Sequence, residues 1–138
     1  MIPFIPFEIS LLTAAQSMIG IFLSTALVQS GIDKLADRKG NLDWLEGHFS
    51  SSILNGMVPL MLSIITVLEL AGGGLCAVGA VLLMIGHTGN YLITGLLIAG
   101  FNFLALFFGQ RVAKDYEGAA VLVGYFILTM LGILSFTI

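Results

Sequence analysis

Glu69 is the residue whose type and place most need a physical account. It interrupts an apolar run over 57–86, and in a helix rising 1.5 Å per residue it would lie about 18 Å from the start of that run. A charged side chain at the centre of a membrane helix costs about 2.5–3.5 kcal/mol to insert. Such a residue must face inward, toward a partner. Three further polar side chains fall at comparable depth. Thr66 precedes Glu69 by one turn on the same helical face, Asn102 lies inside the run 91–109, and Tyr125 lies inside the run 118–137. An amide donates to a carboxylate, and a phenol donates or accepts. Glu69, Asn102, Tyr125 and Thr66 therefore make a candidate buried polar site. Two readings stay open: the site binds a ligand or handles a proton, or it only holds helices in register.

Other chemistries find no support in the residue pattern. The single cysteine, Cys76, lies in an apolar run and has no second thiol for a dithiol centre. His48 and His87 flank one apolar run and so belong on opposite faces of a membrane, where they cannot share a metal or a haem. Gly72, Gly73 and Gly74 sit within a run rather than in a strand-to-helix turn, so they do not make a phosphate cradle. No nucleophile–base–acid arrangement is implied by spacing. The expectation is a chain without catalytic residues, a metal site or enzymatic activity of its own.

The elements that must position these residues follow from composition. Of 138 residues, 58% are apolar and only 9% charged, with a mean hydropathy of +1.07. Soluble domains carry about 25% charged residues. The charge here cannot cover a water-facing surface, whereas a lipid-facing surface needs none. A net charge of −3 with five dispersed Lys and Arg residues lacks the basic footprint of a nucleic-acid-binding protein. The chain reads as one membrane domain over 1–138.

A helix needs roughly 20 apolar residues to cross a bilayer. Four runs qualify: 9–32, 57–86, 91–109 and 118–137. The fold class expected is all-α, an integral membrane four-helix bundle. Residues 1–8 contain Pro3 and Pro6 but no Lys or Arg, unlike a secretory signal, so the first run is read as a retained span. Between spans 1 and 2, Leu42, Leu45 and Phe49 recur at helical spacing in a segment over 41–52 that includes Trp44. This predicts a short amphipathic helix, lying on the membrane surface or packed on the bundle end. Gly72, Cys76 and Ala80 form a small-residue stripe suited to close helix packing, and Gly72–Gly74 could introduce a kink. Lys34, Arg38, Lys39, Arg111 and Lys114 all fall in the first and third connections. The bias of Lys and Arg toward the cytoplasm predicts both termini on the other side.

The segment Leu27-Val28-Gln29-Ser30-Gly31-Ile32-Asp33-Lys34 resembles the end of the first helix in DoxX-like membrane proteins. Val67-Leu68-Glu69-Leu70-Ala71-Gly72-Gly73 resembles the second-helix motif of that family. The order and lengths of the four spans agree over nearly the whole chain. The resemblance implies a bacterial cytoplasmic (inner) membrane protein, with Gly31, Lys34, Glu69 and Gly72 as the family-motif positions. The family is named after a subunit of a membrane thiosulfate:quinone oxidoreductase. Three functions are compatible with these features. The leading one is an accessory or structural subunit of a larger, respiratory or redox membrane complex. The others are a quinone- or lipid-binding component of a membrane oxidoreductase, and a small transporter or proton relay.

Overall fold

The computed structural model describes residues 10–138. The segment 1–8, and residue 9 at the expected start of the first span, lie outside the described residues. Among these, five helices run in the order α1 (Leu11–Ala36), α2 (Arg38–His48), α3 (Val58–Met84), α4 (Asn90–Val112) and α5 (Tyr116–Ser135). Four of them, α1, α3, α4 and α5, are long and apolar enough to cross a membrane. The protein is an all-helical, multi-pass bundle with the short α2 between its first two spans.

The observed helices extend past several expected ends. α1 does not stop at Asp33 and Lys34 but continues to Ala36, where Asp37 takes over as the N-cap of α2 and accepts from the Gly40 N–H at 3.2 Å. α4 likewise carries Gln110 and Arg111 in its last turn. Charged and polar residues can stay helical here because a helix may project beyond the hydrocarbon. α3 is one uninterrupted helix, so Gly72–Gly74 introduce no break.

Two connections use the same C-terminal motif. Gly86 follows α3 with φ +90°, and the Gly86 and His87 N–H groups return to the carbonyls of Leu83 and Leu82. This 5→2 and 6→1 pairing closes the helix end, and it needs a left-handed residue at its pivot. After α4 the pivot is Lys114, at φ 62°, with the N–H groups of Lys114 and Asp115 returning to Arg111 and Gln110. Asp115 then caps α5, accepting from the Gly118 N–H at 2.9 Å.

Packing centres on α3, which contacts both α1 and α4, while α5 packs mainly on α4 and less on α1. The small-residue stripe works as expected. A Cβ placed on Gly95 would lie 2.7 Å from the Cys76 nitrogen and 3.0 Å from its sulfur, and one on Gly79 would strike the Leu92 backbone. On the α1 side, a Cβ on Gly73 would lie 3.0 Å from Leu27 Cβ. Leu23, Leu27, Cys76, Leu92, Leu96, Ala99 and Phe103 form the buried core. Near the end carrying the α3–α4 turn, α1 and α5 are joined by Gln16, whose side-chain amide donates to Ser135 Oγ at 3.1 Å.

α2 begins at Arg38, earlier than expected, and packs on the bundle end with Leu42 and Leu45 half-buried and Phe49 buried. His48 lies 2.8 Å from Gln110 Oε1 and 3.5 Å from Asp115 Oδ2, which pins α2 to the α4–α5 connection. Trp44 is 61% exposed and stacks on His48, leaving its outer face to the surroundings of the bundle end.

Candidate functional site

The site begins with register. Contacts between Gly79 and Leu92, Cys76 and Gly95, and Gly72 and Ala99 follow one antiparallel alignment of α3 and α4. Continued toward the N-terminus of α3, the same alignment brings Glu69 level with Asn102. On the other side of α3, Gly31 lies against Leu70, and a Cβ there would sit 3.5 Å from Glu69 Cβ. Glu69 thus occupies the seam of α1, α3 and α4, near the middle of its own 27-residue helix.

Lys34 closes this seam. Its Nζ lies 2.9 Å from Glu69 Oε1, with side-chain exposures of 18% for the lysine and 4% for the glutamate. The ammonium also donates to Ser30 Oγ at 2.7 Å, one turn back along α1. The approach to Oε1 lies outside hydrogen-bond alignment, so the contact is an ion pair and not a directed hydrogen bond. An ion pair in low dielectric is retained only when both partners are present: removing one leaves a bare buried charge.

Asn102 is fully buried, and neither Nδ2 nor Oδ1 has a hydrogen-bond partner among the described residues. Thr66 is buried one turn from Glu69 and spends its hydroxyl on the Leu62 carbonyl at 2.6 Å. Tyr125 lies on α5 with its ring stacked on Phe103, centroids 5.5 Å apart, and a second contact to Phe22. Of the four candidates, the α3–α4 register sets Glu69 and Asn102 at one level, while the Thr66 hydroxyl and the Tyr125 ring are engaged elsewhere. The strongest partner of Glu69 is Lys34, which the polar-depth argument alone had left at the membrane flank. Only the motif resemblance had marked it.

Among the described residues, no three His, Cys, Asp or Glu side chains are grouped to hold a metal ion. No protein-family model, curated protein or solved structure matches the chain. Gly31 makes room for the Leu70 side chain on the α1 side of α3, and Gly72 lets the α4 backbone approach at Ala99.

Proposed function

We propose that this chain is an accessory subunit of a larger membrane complex, of the DoxX-like kind, and that α5 is the helix it presents to a partner. The observation that carries this reading is the outward glycine of α5. A Cβ on Gly124 would meet no other atom within 4 Å among the described residues, and Gly124 lies in an apolar groove with Phe22, Val121, Tyr125 and Leu128. The opposite flank of α5 bears a second apolar groove, lined by Leu104, Phe107, Leu122, Val123 and Phe126. In lipid, helices associate through close backbone approach at small residues. The inward glycines are consumed by the bundle, whereas Gly124, like Gly74 on α3, is unopposed among the described residues. The location expected is a bacterial cytoplasmic membrane with the basic end inside. A respiratory or redox complex is the context that the resemblance at 27–34 and 67–73 suggests.

The test is purification from native membranes in mild detergent. The expected result is a particle in which the 14.7 kDa chain is accompanied by a second polypeptide at fixed ratio, released by Gly124→Leu with helicity unchanged. A monomer alone would remove the reading. A second reading, a quinone- or lipid-binding component, draws on the aromatic residues Phe22 and Tyr125 in the same groove. It expects an isoprenoid or acyl molecule to co-purify and to be displaced by the same substitution, with no second polypeptide. The transporter reading gains least, because Lys34 already counters the one carboxylate at mid-depth.

A further inference from the structure

The Asn102 amide leads to an inference that does not depend on the subunit reading. We propose that Asn102, Glu69 and Lys34 form a water-binding site at membrane mid-depth, in which a buried water bridges the Asn102 amide to the Glu69–Lys34 ion pair. Both amide atoms are fully buried and without partners among the described residues, and native interiors leave very few such groups unsatisfied. Lipid offers no donor or acceptor to make up the difference.

Geometry selects the neighbour. Gly95 packs directly on Cys76, and one heptad further along each helix come Asn102 and Glu69. Seven residues are close to two full turns, so both side chains stay on the faces that meet at Cys76 and Gly95. The facing carboxylate has its Oε1 in contact with the Lys34 ammonium but in no aligned hydrogen bond, so that oxygen can still accept. A stable internal water needs two to four polar partners. Here it accepts from Asn102 Nδ2 and donates to Glu69 Oε1, with Asn102 Oδ1 and the Lys34 ammonium as further partners.

The size of the occupant is bounded by the close approach one turn away, where a Cβ on Gly72 would lie 3.3 Å from the Ala99 nitrogen. Helices held that near each other leave no width for a headgroup or a ring. The apolar grooves beside α5 are separate from this seam.

The experiment is water-edited, proton-detected solid-state NMR on the full chain in lipid nanodiscs, with asparagine side chains and Lys34 labelled. The expected result is magnetisation transfer from water to the Asn102 side-chain NH2 at mixing times where the backbone amides of Gly72 and Ala99 receive none. A wild-type spectrum in which the Asn102 NH2 is as dark as those amides overturns the proposal, including the case where Asn102 bonds Glu69 directly. In Asn102→Leu, the nitrogen resonance of the Lys34 ammonium should shift. An unchanged Lys34 resonance, in a variant that keeps its helicity, also overturns it.

Discussion

A lysine two residues from the end of a membrane helix has an inexpensive alternative to burial, which is to extend its stem and place the ammonium at the interface. Lys34 turns the other way. It reaches back over Ser30 to Glu69 and is only 18% exposed. The pairing therefore offsets a desolvation that snorkelling would have avoided, and the two residues must be treated as one unit. Breaking a buried pair by removing one partner costs about 3–5 kcal/mol, while replacing both with apolar residues is often neutral. Lys34→Met and Glu69→Leu should each lower resistance to SDS-induced unfolding by an amount of that order, followed by circular dichroism. The double variant should recover most of the loss. Strict additivity would show that the two side chains do not interact. If the double variant is stable but no longer co-purifies with the second polypeptide, the pair also serves assembly.

At the scale of the element, the glycines of this bundle divide by what stands opposite them. Gly79 and Gly95 lie where α3 and α4 touch backbone to backbone, whereas Gly74 and Gly124 have nothing opposite them among the described residues. Forcing extra carbon into a close-packed seam costs about 1–3 kcal/mol, while alanine in place of an unopposed mid-helix glycine gains up to about 1 kcal/mol. Gly79→Ala and Gly95→Ala should therefore destabilise in the same SDS titration, and Gly74→Ala should be neutral or stabilising. Lys114 presents the converse case. It holds a left-handed φ of 62° at the pivot that Gly86 fills after α3, and a non-glycine residue there costs roughly 1 kcal/mol. Lys114→Gly should raise stability by up to about that amount. These distinctions mark how far the sequence can be read. Four apolar runs and the Gly72–Cys76–Ala80 stripe are legible because length and small-residue spacing are properties of one helix. The inward role of Gly132 and the outward role of Gly124 are not, because in lipid both the packed and the exposed faces are apolar. The Lys34–Glu69 pair is hidden for a related reason: it depends on the register between α1 and α3, which neither helix's own periodicity encodes. Asn102 level with Glu69 is legible as shared depth, but the register that aligns them requires the Cys76–Gly95 contact.

At the scale of the whole molecule, antiparallel packing collects every Lys and Arg at one end of the bundle. Arg38 and Lys39 lie at the start of α2, Lys34 one turn within α1, and Arg111 and Lys114 at the α4–α5 connection. The opposite end carries the α3–α4 turn with His87, and neither Lys nor Arg. The same basic end is the more heavily tied one. Arg38 donates to Ser63 Oγ at 2.9 Å, His48 meets Gln110 at 2.8 Å, and Arg111 lies 4.5 Å from the centre of the Tyr116 ring. A folded cap of this kind, held to three spans, must remain on one side of the bilayer as a unit. If charge orients the bundle, the preference for Lys and Arg on the cytoplasmic side would place the cap inside. Cys76 is buried and should contribute little background, so single cysteines can report the sidedness directly. A membrane-impermeant maleimide added to intact cells should label His87→Cys, in the exposed α3–α4 turn, and should leave Lys39→Cys unlabelled until the cells are opened. The reverse pattern would mean that the charge rule does not orient this bundle. Labelling of both positions in intact cells would mean that its two ends are not held on opposite sides of the membrane.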